Sequence, residues 1–424
     1  MREDSKLASK IKSQISRFAS RLTEGLDKVK RRFVSEMLYG VQAAKDVKVS
    51  EIARSLNEPI DLIKTENRLC RNLAQKDLTG TVNRWTCWEG GGSVEEDTVL
   101  AVDLSDVRKG YAKKMEYLGG VRDGSTGEVV RGYWLCEVIA AHPYGERIVP
   151  LYGELYAQKA LDFTSENDQL LKAIRAVADA TGKKGIFALD RGGDRVKIII
   201  PLVDEELRFV IRQDGDRNIL LPGGKVCAIG RAAQWAKATI RRTVEVEREG
   251  YREKKHLKIG SLLVRLIERP DVPLWLVTVR GLAPDPILLL TNVTPERGRA
   301  HGAWIADIYL TRWKCEEGYR FLKQSYNLED VRVRSYTALR NSYAFLHAIF
   351  YFVSAVIGQK AKLNIIFKKI WEKAKRFYEM VSFYQYAVAD GIHRLLFASR
   401  TGPKLPATSA PSDQLLLDFL KPAN

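Results

Sequence analysis

Two short apolar runs, each closed by an aspartate, constrain this chain more than any other feature. Thr98–Val102 leads into Asp103, and Gly185–Leu189 leads into Asp190. Apolar runs of about four to eight residues bounded by turn formers predict buried strands. Between them, residues 161–180 carry apolar side chains at 170, 171, 174 and 177, the spacing of a helix that covers a sheet. Strand, helix, strand is the signature of an α/β sheet, whose strand ends carry functional side chains. Taken alone, the two aspartates fit either of two roles. They are ordinary strand-end turn residues, or they are paired carboxylates whose repulsion a divalent cation relieves.

The rest of the chain frames that sheet. Residues 1–90 read as a helical region with a cationic cluster at Lys28, Lys30, Arg31 and Arg32. Ser50 is expected to cap a short helix with Ile52, Ala53 and Leu56 on one face, followed by a second helix over Ile60–Leu73. This is either a DNA-recognition unit or a plain helical bundle. Gly90–Gly92, followed by Glu95, Glu96 and Asp97, marks a boundary. Further strands are expected at 132–140, 147–151 and 207–211, the last ending at Arg212. A β-rich stretch covers about 215–295 and contains the basic strip Arg252–Lys258. From Ala303 to about 398 the pattern is helical again. The longest apolar run, Tyr343–Gly358, is too short to span a membrane and reads as a buried helix. The predicted parts are therefore 1–90, a core over 95–340 split by the insertion, and a C-terminal helical region over 341–424.

Charge narrows the partners. Lys and Arg total 69 against 52 Asp and Glu, a net charge of +17. Such a surplus favours a polyanion, with nucleic acid ahead of an acidic membrane surface. A second basic stretch, Lys360–Arg376, interleaves Phe367, Trp371 and Phe377, and is either a solvated face or a surface that tracks a phosphate backbone. The five cysteines are odd in number and contain no C-x-x-C pair, which argues against a disulfide framework and a zinc ribbon. With no apolar signal segment at the N-terminus, a cytoplasmic location is expected.

A third carboxylate sits in a more specific setting. Tyr309, Arg312, Glu316 and Lys323 are spaced to share one face of a helix, and Trp313, Phe321 and Leu322 are expected to bury part of it. The spacing Y-x2-R-x3-E-x6-K resembles the signature of bacterial insertion-sequence transposases of the DDE type, which have a ribonuclease-H-like core. Asp103-x-Ser, Leu189-Asp190-Arg191 and Arg208–Arg212 are similar in order and spacing, and the resemblance spans about 95–340.

The resemblance implies a metal-binding catalytic triad of Asp103, Asp190 and Glu316 holding two Mg²⁺ or Mn²⁺ ions for in-line attack at a phosphodiester. It implies that Tyr309, Arg312 and Lys323 grip phosphates, and that Arg212 touches transposon-end DNA. Double-stranded DNA, as transposon ends and target, is the implied partner, with a homodimer on DNA and no membrane. The implied activity is cut-and-paste transposition by a nucleoid-associated bacterial enzyme. The competing readings are a nuclease or resolvase on the same core, and a catalytically silent DNA-binding regulator. Relatives that cut through a hairpin hold a flipped base against an aromatic of the insertion. The corresponding position here is Ile287, with Trp275 and Trp304 as the nearby aromatics.

Overall fold

The computed structural model describes residues 2–124, 126–145, 147–248, 251–296, 300–357, 384–399 and 401–404. Five helices open the chain: α1 (Arg2–Leu22), α2 (Lys28–Ala44), α3 (Val49–Leu56), α4 (Leu62–Leu73) and α5 (Thr79–Gly91). The core follows as β1 (Val99–Arg108), β2 (Gly119–Arg122), β3 (Val129–Ala141), β4 (Ile148–Tyr156), α6 (Glu166–Thr181), β5 (Ile186–Leu189), α7 (Val196–Asp204) and β6 (Phe209–Gln213). Next come β7 (Asn218–Leu220), β8 (Val226–Ala228), the one-turn α8 (Ile229–Ala232), β9 (Ala238–Arg248), β10 (Tyr251–Leu266), β11 (Leu274–Arg280) and β12 (Ile287–Thr291). Helices α9 (His301–Thr311), α10 (Trp313–Tyr326), α11 (Tyr336–Tyr351) and α12 (Gln385–Ala398) complete the described chain. The basic stretch 360–376 lies outside the described residues.

The core strands run in the order β4-β3-β1-β5-β6. Strand β3 is antiparallel to both its neighbours, while β1, β5 and β6 are parallel. This is the ribonuclease-H-like arrangement, and the α/β expectation holds. Local chemistry supports it. Ser165 caps α6 by accepting from the Asp168 amide, and Leu170, Ile174 and Val177 are buried beneath it. Gly185 takes φ +90° just before β5, and a Cβ there would lie 2.7 Å from the Leu100 side chain, so only glycine fits.

The β-rich stretch is not a separate sheet. Strand β12 pairs antiparallel with β6, and β11, β10 and β9 extend the same surface outward. Helix α9 lies across this junction. Its Trp304, Ile305, Ile308 and Tyr309 pack with Ile186 and Val210 of the core strands and with Val277 and Leu289 of the insertion. The N-terminal helices fold onto the C-terminal ones: Gln42 donates to the Ala389 carbonyl at 3.1 Å and His393 Nδ1 donates to the Ala43 carbonyl at 2.6 Å. Tyr343–Tyr351 is a buried helical run, as its composition predicts.

Three local expectations need correction. Ser50 does not cap α3; the helix begins at Val49 with Lys48 at the cap, whose amide is held by the Asp46 carboxylate at 2.8 Å. Strand β1 does not stop at Asp103 but runs on to Arg108, because β3 pairs with it along its whole length. Trp313 is 41% exposed, since it opens α10 on the side away from the core, whereas Phe321 and Leu322 are buried.

Candidate active site

Strand register brings the distant residues into one row. Ala101 pairs with Ala188, and Ala188 with Val210. Two residues further along each strand, on the same face, stand Asp103, Asp190 and Arg212. The β1–β5 ladder ends at Ala101 and Ala188, so beyond that point β1 has no strand on its β5 side. That open edge is where α10 enters. The Tyr319 hydroxyl donates to the free Asp103 carbonyl at 2.7 Å. Asp190 follows β5 directly, and its carboxylate accepts from the Gly192 amide at 2.8 Å, which orients it at the head of a tight turn.

The Y-x2-R-x3-E-x6-K residues lie on two helices rather than one, with Arg312 at the joint between α9 and α10. Arg312 is the hub. Its guanidinium reaches Asp103 Oδ2 at 3.3 Å and Glu316 Oε1 at 2.5 Å, and stacks over the Tyr309 ring at 5.8 Å. Beyond the ring, Arg212 reaches the Tyr309 hydroxyl at 3.5 Å. Asp103, Glu316, Arg312, Tyr309 and Arg212 thus form one contiguous group. Lys323 lies two turns along α10 and contacts Asp106 at 3.3 Å and Glu329 at 3.4 Å. Asp106, the neighbour most easily confused with Asp103, is buried and committed to Lys323 and the Gly124 amide. Glu317 is buried beside Arg320 and turned away from this group.

Burial pushes the Asp103 carboxyl up to about 7; Arg312 opposes this, while Asp190 and Glu316 add to it. Burial works against the Arg312 charge, but Asp103 and Glu316 more than offset it, and its pKa is raised. By formal charge, the three carboxylates that act on one another here share the single Arg312 guanidinium. Their donors are hard carboxylate oxygens, the chemistry that suits Mg²⁺ or Mn²⁺. The donor types fit such an ion. Among the described residues, however, no three His, Cys, Asp or Glu side chains stand closed around a common point. The Arg312 guanidinium stands between Asp103 and Glu316 instead.

Two residues of this neighbourhood escape a reading by motif. Tyr319 follows Arg312 by seven positions, a helical repeat that points it at β1. Lys314 donates to the His142 and Gly145 carbonyls at 3.0 and 2.6 Å, tying the β3–β4 turn to α10. The aromatics considered for a base pocket are both engaged. Trp275 packs edge-on against His301 at 5.6 Å, Trp304 is buried on α9, and Ile287 is buried in β12.

Residues 157–352 match the family model described as transposase DDE domain. That span contains Asp190, Arg212, Tyr309, Arg312, Glu316 and Lys323, and begins after Asp103. No curated protein matches the chain. Among solved structures it is similar to a piggyBac transposase, described as a cryo-EM synaptic complex with hairpin DNA, at 9% identity and TM-score 0.39. That match covers 84% of this chain, which spans only 64% of the other. So distant a likeness has no bearing on function. Among the described residues no helix is long and apolar enough to cross a membrane.

Proposed function

We propose that this chain, which matches the family model described as transposase DDE domain over residues 157–352, cleaves and joins DNA strands at the ends of a mobile element by a cut-and-paste route. The observation that supports this most is the row of Asp103 and Arg212 on β1 and β6 with Asp190 directly after β5 between them, met by Arg312 and Glu316 from the helix joint. Asp103 lies outside the family match, so its place in the group rests on strand register and on its contact with Arg312. Asp103, Asp190 and Glu316 are the residues to hold divalent ions, two in the active complex. When bound, such ions supply charge stabilisation at the attacking and leaving oxygens of an in-line displacement at phosphorus.

The remaining roles belong to the protein's own side chains. Arg212 and Tyr309 offer a guanidinium and a hydroxyl to a backbone phosphate, and Lys323 offers a point charge further along α10. The Gly192 amide fixes the Asp190 carboxylate, and Tyr319 fixes the backbone that carries Asp103. The net charge of +17 suits a double-stranded DNA partner. Holding two ends at once calls for a homodimer on the DNA. A bacterial, nucleoid-associated setting is part of the same proposal and is supported only by the resemblance of the signature.

The test uses DNA that carries the sequences flanking the reading frame. Wild-type protein with Mg²⁺ or Mn²⁺ should cut at those ends and transfer precut ends into a plasmid. Asp103→Asn, Asp190→Asn and Glu316→Gln should each lower cleavage on the order of 100-fold or more while DNA binding persists. Cleavage without strand transfer would favour the nuclease reading. Binding without any cleavage would favour the silent regulator.

A further inference from the structure

We propose that Arg312 is an internal counter-ion that keeps a divalent cation out of the carboxylate cluster until a DNA phosphate draws it away. Metal binding and DNA binding would then be coupled through one side chain. This inference rests on the proposed function above and concerns how its site is switched.

The argument begins with position. Arg312 is not simply near the carboxylates; it joins them, with one terminal nitrogen on Asp103 and the other on Glu316. A cation shared by those two side chains would need the space between them, and a guanidinium fills it. Two positive centres cannot occupy that space together without strong repulsion at low local dielectric. The Arg312 side chain is only 12% exposed, and its Nε is buried without a hydrogen-bond partner. A buried donor left unsatisfied makes the bridged state incompletely stabilised.

The second part is the destination. The guanidinium already lies over the Tyr309 ring, and Arg212 stands at the hydroxyl of that ring. Among the described residues Arg212 has no carboxylate partner within ion-pair distance. A phosphate beside Tyr309 would therefore meet one unneutralised cation and lie within reach of a second. Arg312 is also the single residue between α9 and α10, so its side chain can change partners without moving either helix axis. Bidentate guanidinium–phosphate pairing would replace its two carboxylate contacts. Asp103 and Glu316 would then be left facing each other without a cation, which raises their attraction for a metal ion. Linkage makes the effect reciprocal: bound metal strengthens the hold on DNA by the same factor.

The experiment measures Mn²⁺ binding by electron paramagnetic resonance on the full chain, with and without a short duplex carrying the flanking sequences. Wild-type protein should bind Mn²⁺ weakly alone and about 10-fold more tightly with the duplex. Arg312→Gln should bind Mn²⁺ more tightly than wild type in the absence of DNA, and the duplex should add little. Arg312→Lys, which keeps the charge but cannot bridge both carboxylates, should fall between the two and serves if the glutamine variant does not fold. Equal Mn²⁺ affinity in wild type and the Arg312 variants would overturn the inference. Asp103→Asn and Glu316→Gln separate this from the wider reading. If they weaken Mn²⁺ binding while the Arg312 variants do nothing, only the switch is wrong. If neither weakens it, the metal site itself is wrong and the switch falls with it.

Discussion

At the residue scale, the catalytic strand depends on small accommodations beneath it. Tyr319 supplies the one hydrogen bond that replaces a missing strand neighbour at Asp103. Tyr319→Phe should leave the fold intact, cost about 1–3 kcal/mol in a denaturant titration, and weaken Mn²⁺ binding, because the carbonyl beside the carboxylate is left buried and unpaired. Gly153 faces the ring of the fully buried His347, where an added Cβ would come within 2.4 Å. Gly153→Ala should therefore destabilise by about 1–3 kcal/mol through overpacking. Gly80, in the first turn of α5, has nothing within 4 Å of its would-be Cβ. There the same change should stabilise by roughly 0.5–1 kcal/mol. The two glycines look alike in the sequence, and only the packing tells them apart.

At the scale of elements, α2 and α4 are joined by a closed ring of charges. Arg32 reaches Glu36 and Glu58 at 2.6 and 2.9 Å, while Arg68 pairs with Glu36 and lies 2.7 Å from Glu58. Glu36 is almost fully buried, so it depends on its partners. Arg68→Met should lower stability by about 1–3 kcal/mol, with the loss seen first as hydrogen exchange in α4. None of this ring is legible in the sequence, since its four members are divided among α2, α4 and the segment before α4 and are individually ordinary. The site was more legible. The spacing of Tyr309, Arg312 and Glu316 survives the break between α9 and α10 because Arg312 keeps helical backbone angles across the joint. What spacing could not convey is that Arg312 faces the carboxylates, because two helical faces and one open strand edge had to be placed together first. The overextension of β1 was hidden for a similar reason. Its second half, Asp103–Arg108, is mostly polar and does not alternate, and so looks unlike the buried run that precedes it.

At the scale of the whole molecule, acid sensitivity should appear in two places that tie its parts together. Burial lowers the pKa of His301, between the insertion and α9, and of His393, between the N- and C-terminal helices. The unfolded chain takes up these protons near pH 6.5, and the folded chain only at lower pH. In that window the unfolded state binds more protons, so stability rises with pH and is lost as pH falls below about 6.5. Urea midpoints at pH 7.5 and 5.5 should show this loss, and His393→Gln, which can still donate to the Ala43 carbonyl, should reduce it. The continuous sheet has a further consequence. Because β6, β12, β11, β10 and β9 are hydrogen-bonded in succession, the insertion is a cantilever built out from the strand that bears Arg212. Four strand spacings give it a lateral reach of roughly 19 Å. Whatever grips the β9–β10 hairpin is thereby set at a fixed offset from Arg212, and a load on its tip is felt as torque at that residue rather than absorbed by a hinge.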